Sequence, residues 1–553
     1  MGFKKDLSKF KPRKEQTDAL EYIDTQYKDN PNNKFFLLDL PVGTGKSHLT
    51  MMITDWYRKT VRGDTRVDVI TNSKILQNQY SDTYESIADL KGKENYQCKS
   101  YACSCLQGAE FSKLNKTKCD YCPHSTARER FITGGISLTN FYLFILYSMY
   151  NEKVMESRSS SVLIVDESHQ FDDVMSNFIT IKITDRIIKK FKFTKERTMI
   201  SRLKSIRNID QYVVFLEYFA GEIGGAIKSM ERTLSSVNRN PKKDNRNLKL
   251  AKILDSKNPD LKIMKLMTDL KQLNTKIEIF LKEYKDNPDN WILETPYNER
   301  TKQKELSLEP IWAYDYLDKY IFSKYDMVFL MSGTILNKEL FCELNGLDVN
   351  RACYYSIPSP FNPKSRPIIY MPIGKMTYTK KQQTFKTYVV YIKKLLEKYK
   401  GKKGIIHTNS FELQKWIENE IKNPRLVFHD SSNKDEVLKM HMESKKDTVI
   451  VSPSMGTGVS FDDDAARFQI IAKIPYPSLA SKKNKLRQRQ KPEWYSWMTS
   501  ALLQQAAGRI VRSRLDYGDT IIIDSSFGDV LRYSSHFIPQ WFQNAIKTIN
   551  VKR

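Results

Sequence analysis

The chain has 553 residues, with 90 Lys and Arg against 64 Asp and Glu, a formal net charge of +26. Apolar residues make up 40% and aromatics 12%, which excludes a mostly disordered chain and allows three or four domains at about 150 residues each. No apolar run approaches the ~18–20 residues that span a bilayer, Met1–Lys14 carries no apolar signal segment, and 7 cysteines are too few for a disulfide scaffold. No membrane association and a reducing, cytoplasmic compartment are therefore expected. The Lys-, Asn- and Tyr-rich composition suggests an AT-rich genome and a viral source, in which case the cytoplasm is the host's. The positive excess points to a polyanion, usually nucleic acid.

In chain order, Gln16–Tyr27 reads as a helix. Phe35–Leu40 is a short buried strand running into a Gly-containing loop, with a helix from Lys46 to Arg58 after it. Val67–Thr71 and Ser161–Val165 continue a β-α-β rhythm, the pattern of an open parallel sheet with loops at its strand ends. Residues 171–308 are helical in spacing, notably Leu248–Leu281, with Asn238–Asn247 as a polar, basic loop. Met327–Met331 returns to strand character. A second α/β rhythm carries strands at Gly404–His407, Leu426–Phe428, Thr448–Ser452, Gln469–Ala472 and Thr520–Ile523.

Pro41-Val42-Gly43-Thr44-Gly45-Lys46-Ser47 lies between a strand and a helix. Backbone N–H groups of such a loop wrap phosphates, and the helix N-terminus adds partial positive charge. Lys46 is expected to reach the β- and γ-phosphates, and the Ser47 hydroxyl to ligate Mg2+. Leu40 stands where the strict phosphate-loop pattern has Gly, leaving P-x-G-x-G-K-S. Val162–Val165 then deliver Asp166 and Glu167 to a loop. Asp166 is the expected Mg2+ ligand and Glu167 the residue that polarises the attacking water. Gln505-Ala506-Ala507-Gly508-Arg509-Ile510-Val511-Arg512 spaces two Arg for adjacent turns of one helix face, able to stabilise a transferring phosphoryl group across a cleft.

Cys98, Cys103, Cys105, Cys119 and Cys122 crowd into one short segment. In a reducing compartment this reads as a metal or cluster site, with Cys98, Cys105, Cys119 and Cys122 as ligands and Cys103 as the alternate. Four thiolates suit tetrahedral Zn2+ or an iron–sulphur cluster equally well. Lys482, Lys483, Lys485, Arg487, Arg489 and Lys491 read as a basic loop able to follow a phosphate backbone.

These residues resemble motifs I, II and VI of superfamily 2 helicases, and the chain as a whole resembles the XPD/DinG iron–sulphur DNA helicases. Thr71–Gln79 resembles motif Ia, Leu90–Cys98 the entry to the cysteine domain, and Leu138–Tyr142 the segment before motif II. Ser332-Gly333-Thr334 resembles motif III, Gly404–Ser410 motif IV and Ser454–Ser460 motif V. Motif II reads Asp-Glu-Ser-His, Ser460 replaces the usual motif V acid, and Asp524-Ser525-Ser526 lacks an Arg often found there.

The resemblance implies two RecA-like parallel-sheet lobes, with a Cys-rich cluster domain and a helical arch inserted in the first. Lobe 1 would comprise residues 1–90, 136–170 and 309–350, the Cys-rich domain 91–135, the arch 171–308 and lobe 2 residues 351–553. It implies ATP contacts from Arg13, Gln16, Gly458 and Gln505 besides Gly43, Thr44, Gly45, Lys46 and Ser47. It favours a 4Fe–4S cluster over Zn2+, and unwinding of forked DNA by 5′→3′ movement on a single strand, with DNA repair among the processes served. A monomer is expected. An RNA helicase, a protein-stripping translocase and a non-hydrolysing ATP-switched binder are the rival readings.

Overall fold

The computed structural model describes residues 2–100, 103–114, 121–191, 193–237, 259–295, 297–298, 303–377, 379–456, 459, 461 and 463–550. Two seven-stranded sheets, parallel throughout, organise it. From edge to edge, the first runs Ala352–Ser356, Phe35–Asp39, Met327–Ser332, Val162–Asp166, Val67–Thr71, Ile136–Asn140 and Ile87–Asp89. Its central strands are buried along their whole length, as a sheet covered on both faces requires. The expected boundary at residue 350 shifts, because Ala352–Ser356 pairs with Phe35–Asp39 inside the first sheet.

The second sheet runs Leu426–Phe428, Val449–Ser452, Gly404–His407, Phe468–Ile471, Asp519–Asp524, Ile368–Gly374 and Ile546–Thr548. The arch region consists of helices Ile209–Val237 and Pro259–Asp286 standing on a three-stranded antiparallel sheet of Ile181–Ile183, Leu306–Pro310 and Trp291–Glu294. The loop expected at Asn238–Asn247 lies outside the described residues.

The Cys-rich segment returns to the first sheet through helix Pro123–Thr133. Its exit is fixed by Arg158, which is fully buried, donates to Asp68 at 2.9 Å and to the Val67 carbonyl at 2.9 Å, and also bonds the Gly134 carbonyl. Tyr325 donates to the other Asp68 oxygen at 2.7 Å, so both carboxylate oxygens are bonded.

The basic segment expected as an exposed loop is a helix, Lys482–Gln490, docked on the arch base. Buried Arg487 donates to Ile311 O at 2.6 Å and Asp172 Oδ2 at 3.0 Å, and lies over Trp312 at 4.6 Å from its centroid. Lys482 donates to Leu293 O, Lys483 to Ser176, and Lys491 pairs with Glu343 at 2.6 Å. The next helix, Pro492–Ala507, buries Trp494 and Trp497 in the same apolar core as the arch base. The lobes therefore share a core as well as facing each other.

Candidate active site

The phosphate loop is held open by two glycines with positive φ, Gly43 at 89° and Gly45 at 80°. A Cβ at Gly43 would stand 2.3 Å from the Phe361 ring, and one at Gly45 would stand 2.5 Å from Gln16 Nε2. Arg13 and Gln16, expected to contact ATP, grip the loop itself. Arg13 donates to the Gly43 carbonyl, Gln16 Nε2 to the Gly45 carbonyl at 2.9 Å, and Gln16 Oε1 accepts from Arg13 N at 2.9 Å. Thr44 turns its hydroxyl back onto the Pro41 carbonyl at 3.0 Å. Lys46 and Ser47 open helix Lys46–Thr60, whose free N–H groups face the loop.

Strand Val162–Asp166 ends beside this helix. Glu167 takes a left-handed backbone, φ 59°, which costs about 1–2 kcal/mol for a residue with a Cβ. The turn aims its carboxylate at Lys46, with Nζ to Oε1 at 2.7 Å. Asp166 accepts from its neighbour's N–H at 3.0 Å and from the Tyr80 hydroxyl at 3.1 Å.

Burial tends to raise both carboxyls, with opposite outcomes. At Asp166 burial prevails over the Lys46 charge, and the carboxyl rises to about 6. At Glu167 burial is overcome by the Lys46 ammonium, helped by His169 and Arg509, and the carboxyl falls to about 2. Burial would lower Lys46, but the Glu167 and Asp166 charges outweigh it and hold the ammonium above its usual value. Lys46 thus faces two buried carboxylates, and Asp166 with Ser47 offers the oxygen donors that suit a divalent cation.

His169 Nε2 accepts from Gln170 Nε2 at 3.0 Å, and its Nδ1 is hydrogen-bonded to Ser332 Oγ at 2.8 Å. Burial lowers it to about 4, so the ring is neutral at physiological pH. Ser332 in turn bonds Thr334 Oγ1 at 3.2 Å, and Gln505 of the second lobe donates to that oxygen at 3.3 Å.

The expectation that Arg509 and Arg512 share a helix face fails, because the helix ends at Ala507 and both arginines follow it in a turn and an extended segment. Gly508 closes the helix, and from there Arg509 can turn back into the cleft. Its Nε donates to the Gly456 and Gln505 carbonyls at 3.0 and 2.9 Å, and Nη1 to the Val459 carbonyl at 2.8 Å. Burial, then the neighbouring Arg512 charge, lower Arg509 to about 10, still charged at neutral pH. The Arg509 charge acts on Glu167 and the Arg512 charge on Lys46, so both arginines of the second lobe are within electrostatic reach of this site. Gly458 lies outside the described residues.

In the Cys-rich segment a short antiparallel bridge, Gln97 to Ser104, brings its two arms together. Burial, and then the Cys122 thiol hydrogen-bonded to it, raise Cys105 to about 11, with Cys98 near enough to add to the shift. Cys103 closes the turn by accepting from Cys98 N at 2.9 Å. Cys119 lies outside the described residues, and among the described residues no group of three or more His, Cys, Asp or Glu side chains is placed to hold a metal ion. Of the four expected ligands, Cys98, Cys105 and Cys122 are described, and Cys105 and Cys122 with Cys98 nearby are a donor set of the right chemistry.

Sequence reasoning missed Asp39, Tyr80 and Phe361. Asp39 is buried at the strand end before the phosphate loop, accepting from Leu336 N at 3.0 Å and Tyr354 OH at 3.1 Å. An acid ending an otherwise apolar strand was the available signal. Tyr80 and Phe361 carried none.

Two parallel lobes with the phosphate loop and acidic pair on one, the arginines on the other, and Cys-rich and helical insertions in the first give the chain a fold similar to that of solved XPD helicases. The helicase C-terminal domain family matches residues 392–545, and the family of type III restriction enzyme res subunits matches residues 9–200. ATP-dependent DNA helicase CHL1 of Vanderwaltozyma polyspora is 22% identical over 505 residues, covering 77% of this chain and 58% of its own length. The regulator of telomere elongation helicase 1 homolog of Drosophila melanogaster is 29% identical over 136 residues, 21% of this chain and 14% of that one. The chain thus spans less than two thirds of the length of either relative. A solved XPD helicase superposes with a TM-score of 0.63 at 13% identity, covering 98% of this chain and 100% of the other. Xpd4 of S. tokodaii gives 0.59 at 13% identity, covering 97% and 100%. No helix among the described residues is long and apolar enough to cross a membrane.

Proposed function

We propose that this protein is an ATP-dependent DNA helicase that moves along single-stranded DNA, 5′→3′, and unwinds forked duplexes. The observation that carries the proposal is the cleft itself. It is supported by Lys46, Asp166 and Glu167 on the first lobe, by Arg509 and Arg512 of the second lobe whose charges act on Glu167 and Lys46, and by Gln505 bonded between the lobes. A nucleotide-binding switch without turnover needs neither the aligned acid nor two facing arginines.

Phosphates entering the loop would take over the Lys46 ammonium, which now pairs with Glu167. Glu167 is then left to accept a hydrogen bond from the attacking water, while the arginines offset charge spreading onto the phosphoryl oxygens. Mg2+, held by Asp166 and Ser47, would supply neutralisation of the β- and γ-oxygens. Gln505, through Thr334 and Ser332, ties the lobe-2 wall to His169 beside the acid, so that turnover and lobe movement act together.

The DNA track runs past a cavity of about 740 Å3 where lobe 1, the Cys-rich segment and the arch meet. Asn72, Lys74 and Tyr142 line it from lobe 1, Arg128 from the Cys-rich segment and Gln272 from the arch. Cys98, Cys105, Cys119 and Cys122 would hold a 4Fe–4S cluster, or Zn2+ in the alternative, cross-linking the wall of this track. Replacing Lys46 with Ala tests the reading. ATP turnover stimulated by single-stranded DNA should vanish while DNA binding persists, and retained turnover would refute it.

A further inference from the structure

Tyr80 lies on helix Lys74–Thr83, away from the nucleotide motifs, and is 1% exposed. A carboxylate only accepts, so the single phenolic hydrogen goes to Asp166 Oδ2 at 3.1 Å. The phenolic oxygen also lies 3.2 Å from Thr50 Oγ1, one turn into the helix that Lys46 and Ser47 open, where the Thr50 hydroxyl has the Lys46 carbonyl as its other acceptor at 3.2 Å. Tyr80 thereby joins three elements at one atom: its own helix, the phosphate-loop helix and the acidic strand end.

The other end of the same helix faces the proposed DNA track. Lys74 lines the 740 Å3 cavity, as does Asn72 just before the helix, and Ile75 is 68% exposed. Asn72 donates to Gln170, and Lys74 donates to Asn95 of the Cys-rich segment at 2.9 Å. Gln77, on the buried face with Tyr80, donates to Asp89 and the Leu90 carbonyl and accepts from Asn140 at 3.2 Å. A helix pinned in this way moves as a rod rather than bending.

We infer that Tyr80 is a positioning residue that sets the Asp166 carboxylate for Mg2+ and reports to it the occupancy of the cavity at the opposite end of its helix. This rests on the proposed helicase reading for the identity of the occupant, but not for the Asp166 contact.

The test uses the full chain with Tyr80→Phe, which keeps the ring and removes the hydroxyl. A fluorescent ATP analogue is titrated with Mg2+ and with EDTA, without DNA. Binding in EDTA should match the wild type, and binding in Mg2+ should weaken by about tenfold or more, the loss of one hydrogen bond to a charged group. Stimulation of turnover by oligo(dT) should fall by a similar factor while oligo(dT) affinity is unchanged.

Thr50→Val, which leaves the Tyr80 hydrogen on Asp166, should show the same pattern more weakly. Wild-type Mg2+ dependence in Tyr80→Phe, or equal weakening in EDTA, would overturn the assignment. Absence of any turnover in the wild type would instead remove the helicase reading, and the binding titration would still decide the role of Tyr80.

Discussion

Gln505, in the helix that ends at Ala507, donates to Thr334 at 3.3 Å, a hydrogen bond from the second lobe into the loop that leaves strand Met327–Ser332 of the first. Thr334 N–H also donates to Ser332 Oγ at 3.0 Å, and Ser332 is bonded to His169, two residues after Glu167. The nearer arginine follows Gln505 by one turn, so a displaced Gln505 carries Arg509 with it. Gln505→Ala should lower ATP turnover by roughly tenfold or more and leave analogue binding nearly unchanged, because the loss falls on the closed cleft. Steady-state turnover and equilibrium binding of the same preparation decide this.

Asp39 gives a pH dependence of stability. Burial raises its folded-state pKa from 3.8 to about 6, against the pull of the Leu336 N–H. A raised acid binds its proton more tightly in the folded state, so stability falls as pH climbs from about 4 to 6 and stays reduced above. The cost on the alkaline side is on the order of 3 kcal/mol. Asp39→Asn keeps an acceptor for Leu336 and removes the charge. Urea midpoints should flatten over that interval and exceed the wild type at pH 8.

Arg487 should behave as a structural residue and not as a DNA contact. Arg487→Met leaves Asp172 facing a buried site with its partner gone, costing about 3–5 kcal/mol. A lower thermal midpoint is expected. Exposed Lys485→Ala in the same helix should leave the midpoint unchanged. Equal midpoints for Arg487→Met and the wild type would contradict the docking of this helix.

Cys122 tests the proposed centre directly. Protein purified without oxygen should carry about four iron atoms or one zinc per chain. Cys122→Ser should lose that metal, and with it unwinding, while part of the ATP turnover remains. A wild-type protein free of both metals would leave Cys105 and Cys122 as neighbouring thiols without a metal.

Local sequence determined the chemistry that is short-range in the chain. The phosphate loop is one strand end, two positive-φ glycines and one helix start, and Asp166 and Glu167 need only the strand that delivers them. Buried strands such as Val67–Thr71 and Gly404–His407 were legible as apolar runs because both faces of each sheet are covered.

Tertiary structure alone decided what depends on distant partners. Ala352–Ser356 joins the first sheet because Phe35–Asp39 offers it a free edge, which no boundary signal in the chain records. The basic run at Lys482–Lys491 looks solvated in sequence, yet Asp172, Glu343 and the Trp312 ring capture several of its cations. Arg509 and Arg512 have helical spacing, but Gly508 ends the helix before them, and the carbonyls of Gly456 and Val459 fix where Arg509 points. Tyr80 has an ordinary core position in its helix, and only the fold brings Asp166, 86 residues further along, to its hydroxyl.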